Sequence, residues 1–177
     1  GEIDVPMNLS NREISVYTFA PASARGANSA PNGFQLFAKD DQWRAESGTW
    51  TPVYEGGWQK VKLVPDNVAP PSGSMTTGFD PCRIRSLGLR YGVGTETSAA
   101  NYTGPFYIDA FGFQTDPAAR TNLRHGFESG VQGWVPETYE GLTAVTSVES
   151  STSAALEGTR SLRLNVSVNA GTNKAYG

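Results

Sequence analysis

The densest group of chemistry-bearing residues lies in one short stretch, QLFAKDDQWRAESGTW, which holds Gln35, Lys39, Asp41, Trp43, Arg44 and Trp50. Flat aromatic rings stack on the C–H face of a pyranose, matching a slightly positive surface to the ring's negative face. Planar polar side chains such as Gln, Arg and Asp read hydroxyl groups in pairs. Both kinds of group fall within what reads as a single hairpin. Trp43 stands among charged residues at an expected loop, so it is expected to be exposed and to stack on a ligand. Trp50 carries the same chemistry in a more ambiguous setting. Trp58 and Trp134 begin apolar segments and are expected to pack in the core or at an edge. Arg90 alternates with Leu89 and Tyr91, which puts it on the sheet face opposite to theirs, where Gln35 is also expected. Tyr139, in WVPETYEG, is expected on a loop bordering that face, with Tyr54 and Tyr17 as weaker candidates. The competing reading is a plain solvated face, since apolar atoms are common on protein surfaces.

Catalysis is the rival class. A retaining glycosidase needs two carboxylates about 5–5.5 Å apart. The candidates are Glu46, Glu55, Glu137 and Glu140, and none has a strand-embedded setting that predicts a raised pKa. Ser-His-Asp chemistry would rest on His125, the single histidine, which reads as part of a linker. Cys82, in FDPCRIR, reads as a small packed side chain in a turn, not a nucleophile. No Gly-rich loop follows a strand and opens a helix, so no phosphate cradle is expected. Asn8, Asn101 and Asn165 match the glycosylation sequon, a short pattern with little weight here.

These residues need a frame, and the rest of the chain predicts one made of strands. The 177 residues include 20 Gly, 11 Pro, 4 Trp, 7 Tyr and 8 Phe, a mixture of turn-formers and aromatics that favours an all-β domain. Short runs rich in Val, Ile, Phe and Tyr recur between loops, and helical periodicity is almost absent. About ten strands are expected, among them Glu13–Phe19, Gly33–Lys39, Trp58–Leu63, Ile84–Tyr91, Phe106–Phe113 and Ser161–Val168. In Gly33–Lys39, Phe34, Leu36 and Ala38 are assigned to the core. A net charge of −3 and a pI of about 5.2 argue against nucleic acid and anionic membrane as partners. No apolar run approaches the length that spans a bilayer, and no signal peptide is evident. One Cys excludes an internal disulfide and any cysteine-based zinc site. The polar stretch 116–123 reads as a linker between 1–115 and 124–177. The second piece is too small to stand comfortably alone, so it is expected to complete the first in a single sandwich spanning 1–177.

The segments HGFESGVQGW and EGTRSLRLNV resemble the opening of jelly-roll carbohydrate-binding modules attached to bacterial β-glycanases. The segments NLSNREISVYTFAPA, NGFQLFAKDDQWRAESGTW, GGWQKVKL, GFDPCRIRSLGLRYG and FYIDAFGF resemble the rest of such a module, in that order. The resemblance covers nearly the whole chain. In the family, the FESG…GW segment comes first and the FYIDAF strand last. Here the opening follows the closing strand, so the order is that of a circular permutation or of a piece spanning two tandem copies. The ending NKAYG and the beginning GEIDVP read as two halves of one strand.

The resemblance implies a jelly-roll β-sandwich that binds a β-linked plant polysaccharide, of β-1,4-glucan or mannan type, without catalysis. The implied ligand-binding residues are Gln35, Lys39, Trp43, Arg44, Trp50, Arg90 and Tyr139. It further implies an extracellular setting, a parent glycoside hydrolase in cis, and a monomer or strand-swapped dimer. Modules of this kind often hold a structural calcium, and the matching positions are Asp109, Glu128 and Thr159–Ser161. An Asp in the apolar strand FYIDAF needs a partner if buried, and a metal is one such partner. The alternatives are a small jelly-roll glycoside hydrolase using two Glu, and a structural sandwich domain of a surface protein.

Overall fold

The structure is a computed structural model, and it describes residues 2–27, 29–93, 100–114, 122–137, 144–169 and 174–176. Among the described residues thirteen strands are found: β1 (Glu2–Met7), β2 (Ile14–Phe19), β3 (Gly33–Asp40), β4 (Ala45–Ser47), β5 (Thr51–Pro52), β6 (Gln59–Leu63), β7 (Ser74–Met75), β8 (Ile84–Gly92), β9 (Tyr102–Gln114), β10 (Asn122–His125), β11 (Val145–Ser151), β12 (Ser161–Val168) and β13 (Lys174–Tyr176). They form two antiparallel sheets. One runs β1-β8-β3-β4-β7, with β13 also on β8 and β5 also on β3. The other runs β11-β12-β9-β2-β6, with β10 also on β9.

Period-2 alternation explains why the sheets face each other. In β2 every second residue, Ile14, Val16 and Thr18, is buried. The first sheet sends Phe34, Leu36 and Ala38 of β3 and Leu87, Leu89 and Tyr91 of β8 inward, as the sequence predicts for β3. The second sends in Val61 and Leu63 of β6, Phe106 and Ile108 of β9, and Leu162, Leu164 and Val166 of β12. Aromatic rings bridge the layers edge-on or tilted. Phe34 lies 5.2 Å from Phe106 of the opposite sheet and 5.3 Å from Tyr91 of its own, centroid to centroid, and Tyr91 in turn lies 5.6 Å from Phe106. This is the expected all-β sandwich.

Strands from both sides of residues 116–123 enter both sheets. β12 pairs with β9 from Leu162↔Ile108 to Val168↔Tyr102, and β13 pairs with β8. Phe127, Trp134 and Leu162 share one hydrophobic cluster with Phe34 and Leu89. The end of the expected linker is itself strand, because Asn122 and Leu123 of β10 pair with Gln114 and Phe113 of β9. His125 therefore belongs to a strand, not a linker. Its ring sits 5.8 Å from Phe111 and 6.5 Å from Phe127, and burial lowers its pKa. With β3 along one edge of β8, β13 and β1 share the other. Tyr176 lies opposite Arg90 and Glu2 opposite Ser86, so the two short strands run in the same direction along one line.

Candidate functional site

The outer face of the first sheet carries the residues at issue. Phe37 and Lys39 alternate with core residues of β3, and Ser86, Gly88 and Arg90 alternate with those of β8. Lys39 lies opposite Ser86 and Ala45, and Phe37 opposite Gly88 and Ser47. The Lys39 ammonium sits 5.3 Å from the Phe37 ring centroid and 5.8 Å from that of Trp43, and it forms an ion pair with Glu137. Trp43 is 54% exposed, as its charged sequence context predicts, while Phe37 beside it is buried. Trp43, Lys39 and Glu137 thus make one cluster, an open aromatic ring beside a paired cation and carboxylate.

Trp43 is held out by the turn that joins β3 to β4. Its φ of 63° lies in the left-handed region, which is costly for a bulky side chain. Asp40 secures that turn from a fully buried position. Its Oδ1 accepts the amides of Gln42 (2.9 Å) and Arg44 (3.0 Å), and its Oδ2 accepts Arg44 Nε (2.7 Å) and the amide of Asp80 (3.1 Å). Burial pushes the Asp40 pKa up. The three backbone amides and Arg44 outweigh it, and the net shift is downward. Asp41, one residue on, binds Arg83 at 2.7 Å and ties the turn to the 3-10 turn Pro81–Arg83.

Two expected ligand-binding residues have structural duties instead. Gln35 is buried, at 3% exposure, and its amide nitrogen donates to the carbonyls of Gly48 (2.8 Å) and Ser72 (2.9 Å). It fastens the loop before β7 onto the sheet and is not presented to a ligand. Arg44 is committed to Asp40. Arg90 lies opposite Gln35 across β3 and β8, as expected, and is half-buried. Trp50 is half-buried over Gly33, where an added Cβ would fall 2.6 Å from the Thr51 carbonyl and 2.7 Å from the indole. Gln35, Arg90 and Trp50 thus gather toward the Gly33 end of β3. At about 3.3 Å per residue, Gln35 lies about 13 Å along the strand from Lys39. Tyr139 lies outside the described residues. Tyr54 is exposed. Trp134 is in the core, and Trp58 packs on Phe19 at 5.7 Å on the outer face of the second sheet, at the edge strand β6.

Asp109, Glu128 and Ser161 do converge, on the loop 152–160 that joins β11 to β12. An extra residue on β9 between the pairs Tyr17↔Asp109 and Ser15↔Gly112 makes a bulge, with Ala110 at φ 48°. Asp109 is buried there. Its Oδ1 accepts the Ala110 amide, and its Oδ2 accepts the amides of Leu156 (2.9 Å) and Glu157 (3.1 Å). Glu128 Oε1 accepts the amides of Thr159 and Arg160, and its Oε2 accepts the Thr159 hydroxyl. The Arg160 amide and the Thr159 hydroxyl hold its pKa low. Ser161 donates its hydroxyl to the Ala154 carbonyl. Calcium needs oxygens turned toward the ion. Here each carboxylate oxygen accepts at least one N–H or O–H from its surroundings, so backbone amides supply the partner that the buried Asp109 needs. No group of three or more His, Cys, Asp or Glu suited to a metal occurs among the described residues.

The carboxylates weighed for catalysis separate. Glu137 is tied to Lys39, and Glu55 lies 3.4 Å from Arg25. Glu140 lies outside the described residues. Glu46 departs from expectation: it sits on β4, fully buried, and its pKa is raised to about 7 by burial and then by the charge of Asp66. Pairing with Ala38 turns it toward the sandwich interior, away from Trp43. Its setting stayed hidden because β4 is only three residues long and carries no hydrophobic pattern. Cys82 is exposed, not packed. No family model matches the chain, and neither the curated proteins nor the solved structures contain a match to it.

Proposed function

We propose that the chain is a non-catalytic carbohydrate-binding module whose ligand lies on the outer face of the first sheet, beside Trp43. The observation that carries this reading is the Trp43 ring. It is more than half exposed, it is fixed in a strained conformation by a buried carboxylate, and a Lys39–Glu137 pair lies next to it. A flat apolar face on a rigid turn beside charged hydrogen-bonding groups suits a pyranose, which offers apolar C–H and polar hydroxyls at once. The family resemblance points to a β-linked plant polysaccharide, of β-1,4-glucan or mannan type, and to an extracellular role beside a glycoside hydrolase. Arg90 and Trp50, farther along β3, extend the face in the direction a chain-like ligand would take.

The test is isothermal titration of wild type and Trp43→Ala with cello- and manno-oligosaccharides. Loss of the ring should weaken binding by about 1–2 kcal/mol, roughly 5- to 30-fold. Trp58→Ala, on the opposite sheet, should leave affinity unchanged. Equal binding by Trp43→Ala would move the site elsewhere. Absence of binding across a broad glycan panel would leave a structural sandwich. Release of reducing sugar would make the protein an enzyme.

A further inference from the structure

Three carboxylates are fully buried among the described residues. Asp40 and Asp109 each accept several N–H groups, whereas neither oxygen of Glu46 has a hydrogen-bond partner. An ionised carboxylate in that state is among the most costly groups a fold can contain, and the protonated acid costs far less. The elements around β4 give the charge no answer. Its cross-strand neighbours are Ala38 on β3 and Met75 on β7. On β3, Lys39 leaves by the outer face and pairs with Glu137. Arg44, two positions before Glu46, is committed to Asp40. β7 carries no charged side chain. Lys60 and Lys62 alternate with the buried Val61 and Leu63, so they lie on the outer side of β6. Burial, and then the negative charge of Asp66 on the loop after β6, raise the Glu46 pKa, with a weak opposing pull from the Asp66 amide. The strands that enclose Glu46 are the thinnest part of the first sheet. β4 has three residues and β7 two, and β7 is the last strand in the order. The Thr76 amide donates to the Ala45 carbonyl at 2.8 Å, and the Ala45 amide to Thr76 Oγ1 at 3.3 Å. Such an edge opens locally at less cost than the core strands.

We propose that Glu46 is a pH latch on the Trp43 site: protonated, it holds the β4–β7 edge shut, and ionised, it drives that edge open and loosens the hairpin that presents the ring. The link lies in the chain. Glu46 follows Trp43 by three residues, and the pairs Lys39↔Ala45 and Ala38↔Glu46 close the hairpin whose turn holds Trp43. Opening brings Glu46 to water and frees the second arm of that hairpin. As regulation of a binding site, the latch rests on the reading of Trp43 as the ligand platform. Its direction follows from linkage. A carboxyl whose folded pKa lies above its unfolded value of about 4.3 stabilises the closed form fully below the unfolded value, and that stabilisation is lost as pH rises to the folded one. The folded value here is about 7. The opening constant of the edge should therefore grow about tenfold per pH unit between about 4.5 and about 7, then level off. Ligand affinity falls with the fraction of closed hairpin. Buried His125, on β10 of the other sheet, has a lowered pKa and shifts global stability in the opposite sense, so the latch is read locally and against a Glu46 variant.

The experiment follows three readouts across neutral pH in wild type and Glu46→Gln. They are carbon NMR titration of the Glu46 carboxyl, amide exchange of β4 and β7 corrected for intrinsic rate, and calorimetric affinity for cello- and manno-oligosaccharides. The wild-type carboxyl should titrate near neutrality. Opening of the edge should rise about 100-fold between about pH 5 and about pH 8. Affinity should fall at least about twofold over the alkaline part of that range. Glu46→Gln, neutral throughout, should show neither change. Should that variant fail to fold, the carboxyl titration and the exchange of wild type decide alone. The proposal is overturned if Glu46 titrates at an ordinary carboxylate pH, or if the edge of Glu46→Gln opens with pH as wild type does. An edge that opens with no fall in affinity overturns the link to Trp43. Absence of oligosaccharide binding at every pH removes the reading of Trp43 instead, and titration and exchange still judge the latch.

Discussion

Asp40→Asn isolates the device that presents Trp43. The change preserves size and keeps one oxygen, which can still accept the amides of Gln42 and Arg44. The group in the Oδ2 position becomes an NH₂ facing two donors, Arg44 Nε and the Asp80 amide. Two charge-assisted hydrogen bonds are lost, each worth about 1.5–3 kcal/mol. Arg44 is 28% exposed and recovers part of its share from water. The expected loss is therefore about 2–4 kcal/mol, consistent with breaking a largely buried pair. For a chain of this size it lowers Tm by about 5–15 °C. Urea unfolding and near-ultraviolet circular dichroism measure it, and Trp43 should become more mobile as its left-handed backbone relaxes. Arg44→Gln, which spares the three amide bonds to Asp40, should cost less.

The pH dependence follows from the same contacts. The folded-state pKa of Asp40 lies below its unfolded value of about 3.9. Its stabilisation is therefore fully present above that unfolded value and is lost as pH falls through the lower folded one. The gap between wild type and Asp40→Asn should be constant from neutral pH down to about 5 and should shrink on further acidification. A difference below about 1 kcal/mol at pH 7, or a gap that widens in acid, would refute the assignment of Asp40 as an ionised anchor.

Two further changes test the surrounding architecture. Gly33→Ala places a methyl group against the Thr51 carbonyl and the Trp50 indole; it should cost about 1–3 kcal/mol in urea unfolding and shift Trp50 emission, as overpacking does. Glu128→Gln keeps an oxygen for the Thr159 and Arg160 amides but removes the charge that strengthens those bonds and the Oε2 acceptor for the Thr159 hydroxyl; limited proteolysis should then cut within 152–160 faster at neutral pH. That difference should fade in acid, where the wild-type carboxylate, whose folded pKa is lowered, also protonates.

The sandwich was legible because its long strands state their faces in alternation. Phe34, Leu36 and Ala38 went inward as their spacing predicts, and Ile108 and Leu164 occupy core positions in strands read from the sequence. Trp43 was legible for the opposite reason, as a large ring in a charged context that has no core to join. Gln35 was misread because alternation places a side chain on a face without telling what else covers that face. The loop before β7 comes from residues nearly forty positions away and buries Gln35 under the Ser72 carbonyl. His125 was misread because a polar stretch containing Pro resembles a linker, whereas its last residues were recruited into a hairpin with β9.

The acidic residues show most clearly where sequence reasoning stops. Asp40 ends β3, Asp109 lies at a bulge within β9, Glu128 sits in a turn and Glu46 on the short β4, and residue type alone does not distinguish them. Their backbone surroundings do. Asp40, Asp109 and Glu128 each face a loop whose successive amides point at the carboxylate, and such a loop satisfies an anion without any ion. Glu46 faces the interior from a strand whose own backbone amides are spent on neighbouring strands, and neither of its carboxylate oxygens has a hydrogen-bond partner. A regular stretch of strand therefore leaves a buried carboxylate unsolvated, whereas the bulge in β9 turns the Ala110 amide onto Asp109. That asymmetry makes the same chemical group a finished structural anchor where loop amides close over it and an unpartnered carboxyl in β4.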